Sequence, residues 1–369
     1  MGLFDSLRRD KKAASTVKKT ESKKVEEEKV AEEKSETESS NAETAEQSQT
    51  SEQSDVNEIE VGVDEPVVDN GMIIEKMEVV EREPEPEPVD EDDEEDLAFK
   101  PIKKYSEKKP VTHAIGQTKI VAIINQKGGV GKTTTAINLA AALGEAGKQV
   151  LLVDFDPQGN ATSGIGIDKN QIDNCIYDVL LNDLDIREII IPDVSAGLDL
   201  APATINLAGA EVELVSQIAR ESRLKDAVGS LRGRYDYIFI DCPPSLGLLT
   251  VNGLVAADKL IIPIQCEFYA LDGVTKLLVS MKTVKERLNP SLDVYGYLLT
   301  MYDGRTTLAR QVVKEVRNYF GKQVFETVIP RTVKLSEAPS YGMPITQYDP
   351  TGKGAAAYTE LAKEVISRG

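Results

Sequence analysis

Short apolar runs alternate with segments of helical periodicity from residue 119 to the end of the chain. The runs contain few polar residues, which is typical of parallel strands that are covered on both faces. The predicted strands are residues 119–125, 149–154, 198–202, 237–241, 259–264, 294–301 and 324–329. The predicted helices are residues 133–146, 208–231, 247–256, 271–288, 307–320 and 355–367. This alternation predicts an α/β fold: one doubly wound domain with a mostly parallel sheet over residues 118–369.

Polar and acidic residues dominate the chain before that domain. Residues 1–117 contain 17 Lys and Arg against 33 Asp and Glu, whereas residues 118–369 contain 26 against 29. The net charge of -19 is therefore concentrated in the first third of the chain. So acidic a segment cannot bury enough apolar surface to fold, and residues 13–117 are predicted to be a disordered tail and linker. The nearly neutral remainder leaves nucleic acid open as a partner.

Residues 1–12 differ from the tail that follows them. Leu3, Phe4 and Leu7 would share one face of a short helix that carries several basic residues. The pattern is compatible with a weak contact with a membrane surface or a scaffold, but so short a helix buries little apolar area, which argues against it. No apolar run in the chain is long enough to span a membrane. The spacing of the three cysteines and the single histidine, His113, argue against a zinc module or a histidine-based triad.

The strongest chemical signal is the segment at residues 125–134, which reads NQKGGVGKTT. It follows an apolar strand and opens a helix, as a phosphate-binding loop does. Glycines let backbone N–H groups converge on phosphate oxygens at the helix N-terminus. The pattern predicts that Lys132 reaches the β- and γ-phosphates and that Thr133 binds Mg²⁺. The predicted nucleotide-binding residues of this loop are Lys127, Gly128, Gly129, Val130, Gly131, Lys132, Thr133 and Thr134.

The loop departs from the general phosphate-loop pattern at two positions. Gln126 stands where a glycine is usual, and a second lysine, Lys127, follows it. With these features the chain resembles the deviant Walker A ATPases of the partition and septum-site type, and most closely the ParA/Soj group. The resemblance covers residues 118–369 and implies a P-loop NTPase fold, ATP with Mg²⁺, and an ATP-dependent homodimer. It also implies that Lys127 reaches the phosphates bound by the partner subunit.

Two further motifs end predicted strands. Residues 154–160 read DFDPQGN, and Asp156 is the position that orients the attacking water in the ATPases that the chain resembles. A strand-ending turn explains one aspartate of this run but not the whole run. The apolar run at residues 237–241 ends in Asp241, which is typical of a Walker B element. Asp241 is predicted to hold Mg²⁺ through water.

A basic segment near the end of the chain suggests a surface for DNA. Arg310, Lys314 and Arg317 follow helical spacing and share one face. A solvated helix face is the commoner explanation of such a charge run. The resemblance, however, assigns non-specific DNA binding to Arg305 and Lys334. Such contacts would go to duplex phosphates without sequence preference. By the same resemblance Pro330 and Thr332 meet the adenine, with loop packing as the alternative.

The resemblance therefore implies a slow ATPase that segregates a chromosome or plasmid. It implies a ParB-type partner that stimulates hydrolysis, and a cytoplasmic location on the nucleoid. The alternative is a MinD-like ATPase that positions cargo at a membrane or cell pole and is anchored through residues 1–12. A metabolic ligase on the same fold is disfavoured, because the motif at residues 154–160 and the basic region match the positioning branch better.

Overall fold

The computed structural model describes Lys100, Ile102 and residues 117–369 apart from Tyr269 and Leu271. The predicted element at residues 1–12 and nearly all of the predicted tail at residues 13–117 lie outside the described residues. Both therefore stay predictions. No helix among the described residues combines the length and apolar character that a membrane span requires.

Eight strands of the described part form one sheet in the order β3-β4-β2-β5-β1-β6-β7-β8. Neighbouring strands are parallel except for the pair β3 and β4, which is antiparallel. The strands are β1 Lys119–Ile123, β2 Val150–Asp154, β3 Ile191–Ser195, β4 Leu198–Ala201, β5 Tyr237–Asp241, β6 Lys259–Gln265, β7 Asp293–Tyr302 and β8 Val324–Pro330. Because β1, β2 and β5 are adjacent and parallel, the residues that follow them meet at one edge of the sheet.

Helices follow most strands, as the doubly wound prediction requires. The α-helices are α1 Lys132–Glu145, α2 Asn160–Gly164, α3 Ile176–Leu181, α4 Ile186–Ile189, α5 Leu207–Glu213, α6 Arg223–Gly229, α7 Leu248–Ala256, α8 Asp272–Arg287, α9 Thr307–Phe320, α10 Lys334–Glu337, α11 Ile345–Tyr348 and α12 Lys353–Ser367. Short 3-10 turns occupy Lys169–Gln171, Leu214–Ser216, Gly321–Gln323 and Ala338–Tyr341. Helix α1 packs on the sheet, and residues of β2, β5 and α12 share its apolar core.

All seven predicted strands are present, with ends that differ by up to two residues. The prediction of one helix over residues 208–231 is wrong. The chain leaves the helical conformation at Gln217, which is extended and follows the turn Leu214–Ser216. A separate helix, α6, begins at Arg223. Three apolar residues of this range, Val212, Val215 and Ile218, are 57% or more exposed, so no core holds that face together. The antiparallel edge strand β3 was not predicted from the sequence.

Candidate phosphate-binding site

The phosphate-loop segment connects the end of β1 to the start of α1. Gly129 and Gly131 adopt positive φ angles of 71° and 89°, a left-handed conformation that glycine adopts without steric cost. A Cβ atom at Gly128 or Gly129 would have no neighbour within 4 Å, so the space over the loop is open. The carbonyl of Val130 accepts a hydrogen bond of 2.8 Å from the Thr300 hydroxyl of β7, which fixes the loop to the sheet.

The two lysines of the loop occupy different surroundings. Lys132 is buried, and its ammonium donates a hydrogen bond of 3.4 Å to the Lys127 carbonyl oxygen. Burial lowers the pKa of Lys132, while the nearby carboxylates of Asp241 and Asp156 raise it. Lys127 has a side chain that is about one third exposed, and its ammonium lies 3.7 Å from a carboxylate oxygen of Glu267. One lysine therefore faces the interior of the loop, and the other stands at the surface.

The aspartates of the 154–160 motif are held by a network that begins in β2. Asp154 is fully buried and accepts hydrogen bonds from the Thr162 amide at 2.8 Å and the Thr162 hydroxyl at 2.7 Å. The Asp156 amide donates to the other oxygen of Asp154 at 3.3 Å. Asp156 in turn accepts a hydrogen bond of 3.0 Å from the backbone N–H of Gln158. Asp154 therefore shapes the loop that carries Asp156.

Asp241 ends β5 beside Asp154, its register partner on β2. Asp241 is fully buried, and neither of its carboxylate oxygens has a hydrogen bond of normal geometry, although the Thr133 hydroxyl lies nearby. Burial raises the pKa of Asp241 well above its ordinary value, and the neighbouring Asp154 adds to this effect, whereas the Thr133 hydroxyl and the Lys132 ammonium lower it. The pKa of Asp154 is raised to about 6, again by burial first. A buried carboxylate without partners is costly unless a cation or a proton neutralises it.

Comparison with known proteins places this geometry in a family. Residues 118–294 match the family model described as an AAA domain. The sporulation initiation inhibitor protein Soj of Bacillus subtilis is 57% identical over 251 residues, which are 68% of this chain and 99% of Soj. The chromosome partitioning protein ParA of Myxococcus xanthus is 56% identical over 250 residues, which are 68% of this chain and 88% of that protein. The chain belongs to the ParA/Soj family.

Solved structures of related proteins share the fold. The structure of cobyrinic acid a,c-diamide synthase from Mycobacterium smegmatis with bound ADP and magnesium is 41% identical, with a TM-score of 0.60, and the match covers 68% of this chain and 94% of that one. The septum site-determining protein MinD of Pyrococcus horikoshii, complexed with Mg-ADP, is 29% identical, with a TM-score of 0.56 and coverages of 67% and 96%. The predicted P-loop NTPase fold is confirmed, and this ParA/Soj family member is an ATPase.

The predicted adenine and DNA residues of this family member gather at the ends of β7 and β8. Tyr302 and Pro330 are register partners on these strands, and the Arg331 amide donates to the Tyr302 carbonyl at 3.0 Å. Thr332 lies in the loop before α10 and is partly buried. Arg305 follows β7 with a side chain that is 90% exposed, and Asp303 binds its guanidinium through two hydrogen bonds of 2.9 and 2.6 Å.

The remaining basic candidates are all exposed but are not equally free of partners. Arg310, Lys314 and Arg317 lie on the exposed side of α9, as their spacing predicts. Arg310 donates to the Gly304 carbonyl at 3.2 Å, and Arg317 lies 3.7 Å from Glu326. Lys334, in α10, forms an ion pair of 2.8 Å with Glu337 and lies 5.3 Å from the centre of the Tyr348 ring.

Three supporting residues were not found from the sequence. Thr162 binds Asp154, Thr300 binds the loop at Val130, and the Asn125 side chain donates to the Pro263 carbonyl at 2.7 Å. Thr162 and Asn125 had a local signal, because Thr162 stands two residues after the DFDPQGN motif and Asn125 opens the phosphate-loop segment. Thr300 is 170 positions away from Val130 in the chain, and no local pattern predicts such a contact.

Proposed function

We propose that this partition ATPase is an ATP-dependent switch that dimerises and binds DNA without sequence preference. The contrast between Lys132 and Lys127 carries the proposal. Lys132 is buried in its own loop, whereas Lys127 stands at the surface with one ion pair of 3.7 Å to Glu267. Exposed pairs of this kind contribute about 0–1 kcal/mol, so Lys127 can leave Glu267 for the phosphates of a second subunit at little cost.

The donor set of the site fits Mg²⁺ with ATP. The described residues contain no group of three or more His, Cys, Asp and Glu side chains that could hold a metal by themselves. The fully buried oxygens of Asp241 are without partners next to Thr133, so they offer a hard-oxygen site that is completed by water and phosphate oxygens. Thr133 and Asp241, the latter through water, would hold the ion. Mg²⁺ bound there neutralises charge that develops on the phosphates.

Positioning and charge stabilisation perform the hydrolysis in this proposal. The backbone amides from Gly128 to Thr134 and the Lys132 ammonium hold the phosphates. Asp156 accepts a hydrogen bond from the attacking water and thereby orients it. The bond from Gln158 and the amide bond to Asp154 keep the Asp156 loop in place. Pro330 and Thr332 line the position of the adenine, since their loop follows β8 at the same edge of the sheet.

The basic residues at the end of β7 and on α9 form the proposed DNA surface. Arg305, Arg310 and Lys314 present cations to solvent, with Arg317 and Lys334 at its margins. DNA phosphates replace Asp303 and Glu337, the partly buried partners of this surface, which is an exchange of charge-assisted hydrogen bonds. The ATP-bound form therefore lies on the nucleoid in the cytoplasm. A ParB-type partner stimulates hydrolysis, and hydrolysis releases the protein from DNA.

Binding of the full chain to non-specific duplex DNA tests this function. We expect retention with a non-hydrolysable ATP analogue but not with ADP, and steep weakening with salt. Arg305→Ala should reduce the slope of log K against log salt by about one. Arg287→Ala is the matched control, because Arg287 ends α8 before β7 begins and so lies at the opposite edge of the sheet. Equal losses in both variants, or no retention by the wild type, would contradict the DNA surface.

Light scattering tests the dimer separately. Asp156→Ala should accumulate an ATP-bound dimer that does not turn over. Asp156→Asn keeps an oxygen that accepts the Gln158 bond but lacks the charge, and it should behave in the same way. Turnover at the wild-type rate in either variant would remove Asp156 from its role. Binding to anionic liposomes that disappears on deletion of residues 1–12, without DNA retention, would favour the MinD-like alternative.

A further inference from the structure

Lys100 lies ahead of the ATPase domain in sequence but is bound to it through three hydrogen bonds. Its backbone amide donates to the Gly166 carbonyl at 2.6 Å. Its ammonium donates to the carbonyls of Ile165 at 2.7 Å and Val194 at 2.9 Å. Burial lowers the pKa of Lys100, so the side chain is withdrawn from water as well as paired. Ordering a linker residue costs conformational entropy, so three hydrogen bonds to backbone carbonyls of two separate elements indicate a specific contact.

Ile102 lines a groove next to the Lys100 contacts, with 36% of its surface exposed. The groove has a volume of about 600 Å³ and lies beside α4 and the start of β3. The apolar residues that line it with Ile102 are Ile172, Ile189, Ile190, Ile191 and Pro202. Its charged lining residues are of both signs: Asp173, Asp185 and Glu188 with Arg187 and Arg234, and Asp185 is already paired with Arg187.

Gly166, whose carbonyl accepts the Lys100 amide bond, has a backbone conformation that favours glycine. Gly166 has a φ angle of 89°, and a Cβ atom there would lie 2.9 Å from the Gly342 carbonyl oxygen and 3.3 Å from Cε of Lys100. The positive φ angle and the Gly342 backbone therefore require glycine here, and the Lys100 stem passes close to it. Ile165 and Gly166 directly follow α2, the short helix that begins after the Asp156 loop. The contact thus joins the chain ahead of the domain to the end of an element of the nucleotide site.

We propose that residues 100–102 are a docking segment, which fastens the acidic N-terminal region to the ATPase domain at the groove between Gly166 and β3. The occupant is this segment of the same chain, because its own amide and ammonium make the contacts. The proposal does not depend on DNA binding or dimerisation. It assigns a receptor site to a part of the domain that lies apart from the phosphate loop.

The docking segment also sets where the acidic region leaves the domain. It binds at β3, the first strand of the sheet order, whereas α9 follows β7 near the last strand, β8. Seven spacings of about 4.8 Å separate β3 from β8, or about 34 Å. Acidic residues that compete for the α9 surface must span this distance, which takes about ten extended residues.

Hydrogen–deuterium exchange of the full chain, read by mass spectrometry, tests the docking segment. In the wild type the Lys100 amide should exchange at least tenfold more slowly than in a free peptide of the same sequence. Lys100→Met removes the two ammonium bonds and should restore fast exchange of the amides of residues 100 and 102. Lys103→Met makes the same charge change three residues later and should leave the protection intact. Ile102→Asp replaces the apolar side chain by a carboxylate beside Ile172, Ile190 and Pro202, and it should also release the segment.

Exchange in β1 serves as the check that each variant is folded. Fast exchange of the Lys100 amide in the wild type would overturn the proposal whatever the variants do. Equal protection in Lys100→Met and Lys103→Met would overturn it as well. Release of the segment in Lys100→Met and Ile102→Asp, with β1 still protected, is the result that we expect.

Discussion

Replacing Asp241 by asparagine should stabilise the nucleotide-free protein while it abolishes Mg²⁺-dependent turnover. Asp241 is fully buried, and both of its oxygens lack hydrogen bonds. An unsatisfied buried polar group costs about 1–3 kcal/mol, and more when it is charged. Asparagine removes the charge at nearly constant volume. The asparagine amide still lacks partners, so the gain is the cost of the charge alone, which is about 1.4 kcal/mol for every tenfold by which burial weakens the acid. Each kcal/mol raises the Tm of a domain of this size by about 2–4 °C.

The stability gained by Asp241→Asn must increase as the pH rises. Burial raises the folded-state pKa of Asp241 above its unfolded value. Between these two pKa values the folded state binds more protons than the unfolded state, so wild-type stability falls as pH rises. The advantage of Asp241→Asn is therefore absent below about pH 4, the unfolded pKa. It grows with pH up to the folded pKa and is constant above it.

Thermal unfolding without nucleotide, between pH 4 and pH 8, measures this prediction. Asp199→Asn is the matched control, since Asp199 is also fully buried but accepts hydrogen bonds from the Asp193 amide at 2.9 Å and the Tyr235 hydroxyl at 2.8 Å. That variant should lose about 1 kcal/mol. In Mg-ATP the wild type should gain more stability than Asp241→Asn. A Tm of Asp241→Asn at pH 8 that is equal to or below the wild type would refute the reasoning.

Two other substitutions test the supports of the site. Thr162→Val removes the hydroxyl that donates to Asp154 and accepts the Ala203 amide at 3.1 Å; we expect a loss of about 1–3 kcal/mol in urea unfolding and slower ATP turnover, with Thr162→Ser close to wild type. Gly131→Ala forces a side chain into a left-handed position and should cost about 1–2 kcal/mol and weaken nucleotide binding in a fluorescence titration. Gly229→Ala, at an open position in α6 with ordinary φ, should instead stabilise by about 0.5–1 kcal/mol; a loss there as large as in Gly131→Ala would contradict the role of φ.

The sequence was sufficient to predict those elements whose structure depends on residues that are close together in the chain. The central strands are apolar on both faces because helices cover both faces, and the sequence shows this directly as continuous apolar runs. The phosphate loop is a contiguous segment, so its glycines and lysines are visible together. Residues 208–231 were misjudged because a helical spacing of apolar residues is the same whether that face is buried or exposed. Val212, Val215 and Ile218 are exposed, and only the tertiary structure determines this.

Contacts between distant parts of the chain could not be predicted in the same way. Thr300 and Val130 meet because β7 and β1 lie on either side of β6 in the sheet. The docking of Lys100 depends on the carbonyls of Ile165, Gly166 and Val194, and backbone carbonyls carry no residue-specific signal. The basic stretch around Lys100 therefore resembled an ordinary linker in the sequence.

The two buried aspartates at the edge of the sheet illustrate how environment divides roles between identical residues. Asp154 and Asp241 are register partners on β2 and β5, and both are fully buried. Asp154 accepts three hydrogen bonds from its own loop, so its negative charge is used to shape the path that carries Asp156. Asp241 accepts none, so its charge is available to a cation. The sequence places an aspartate at the end of each strand, but only the hydrogen bonds distinguish the aspartate that builds the site from the one that can bind in it.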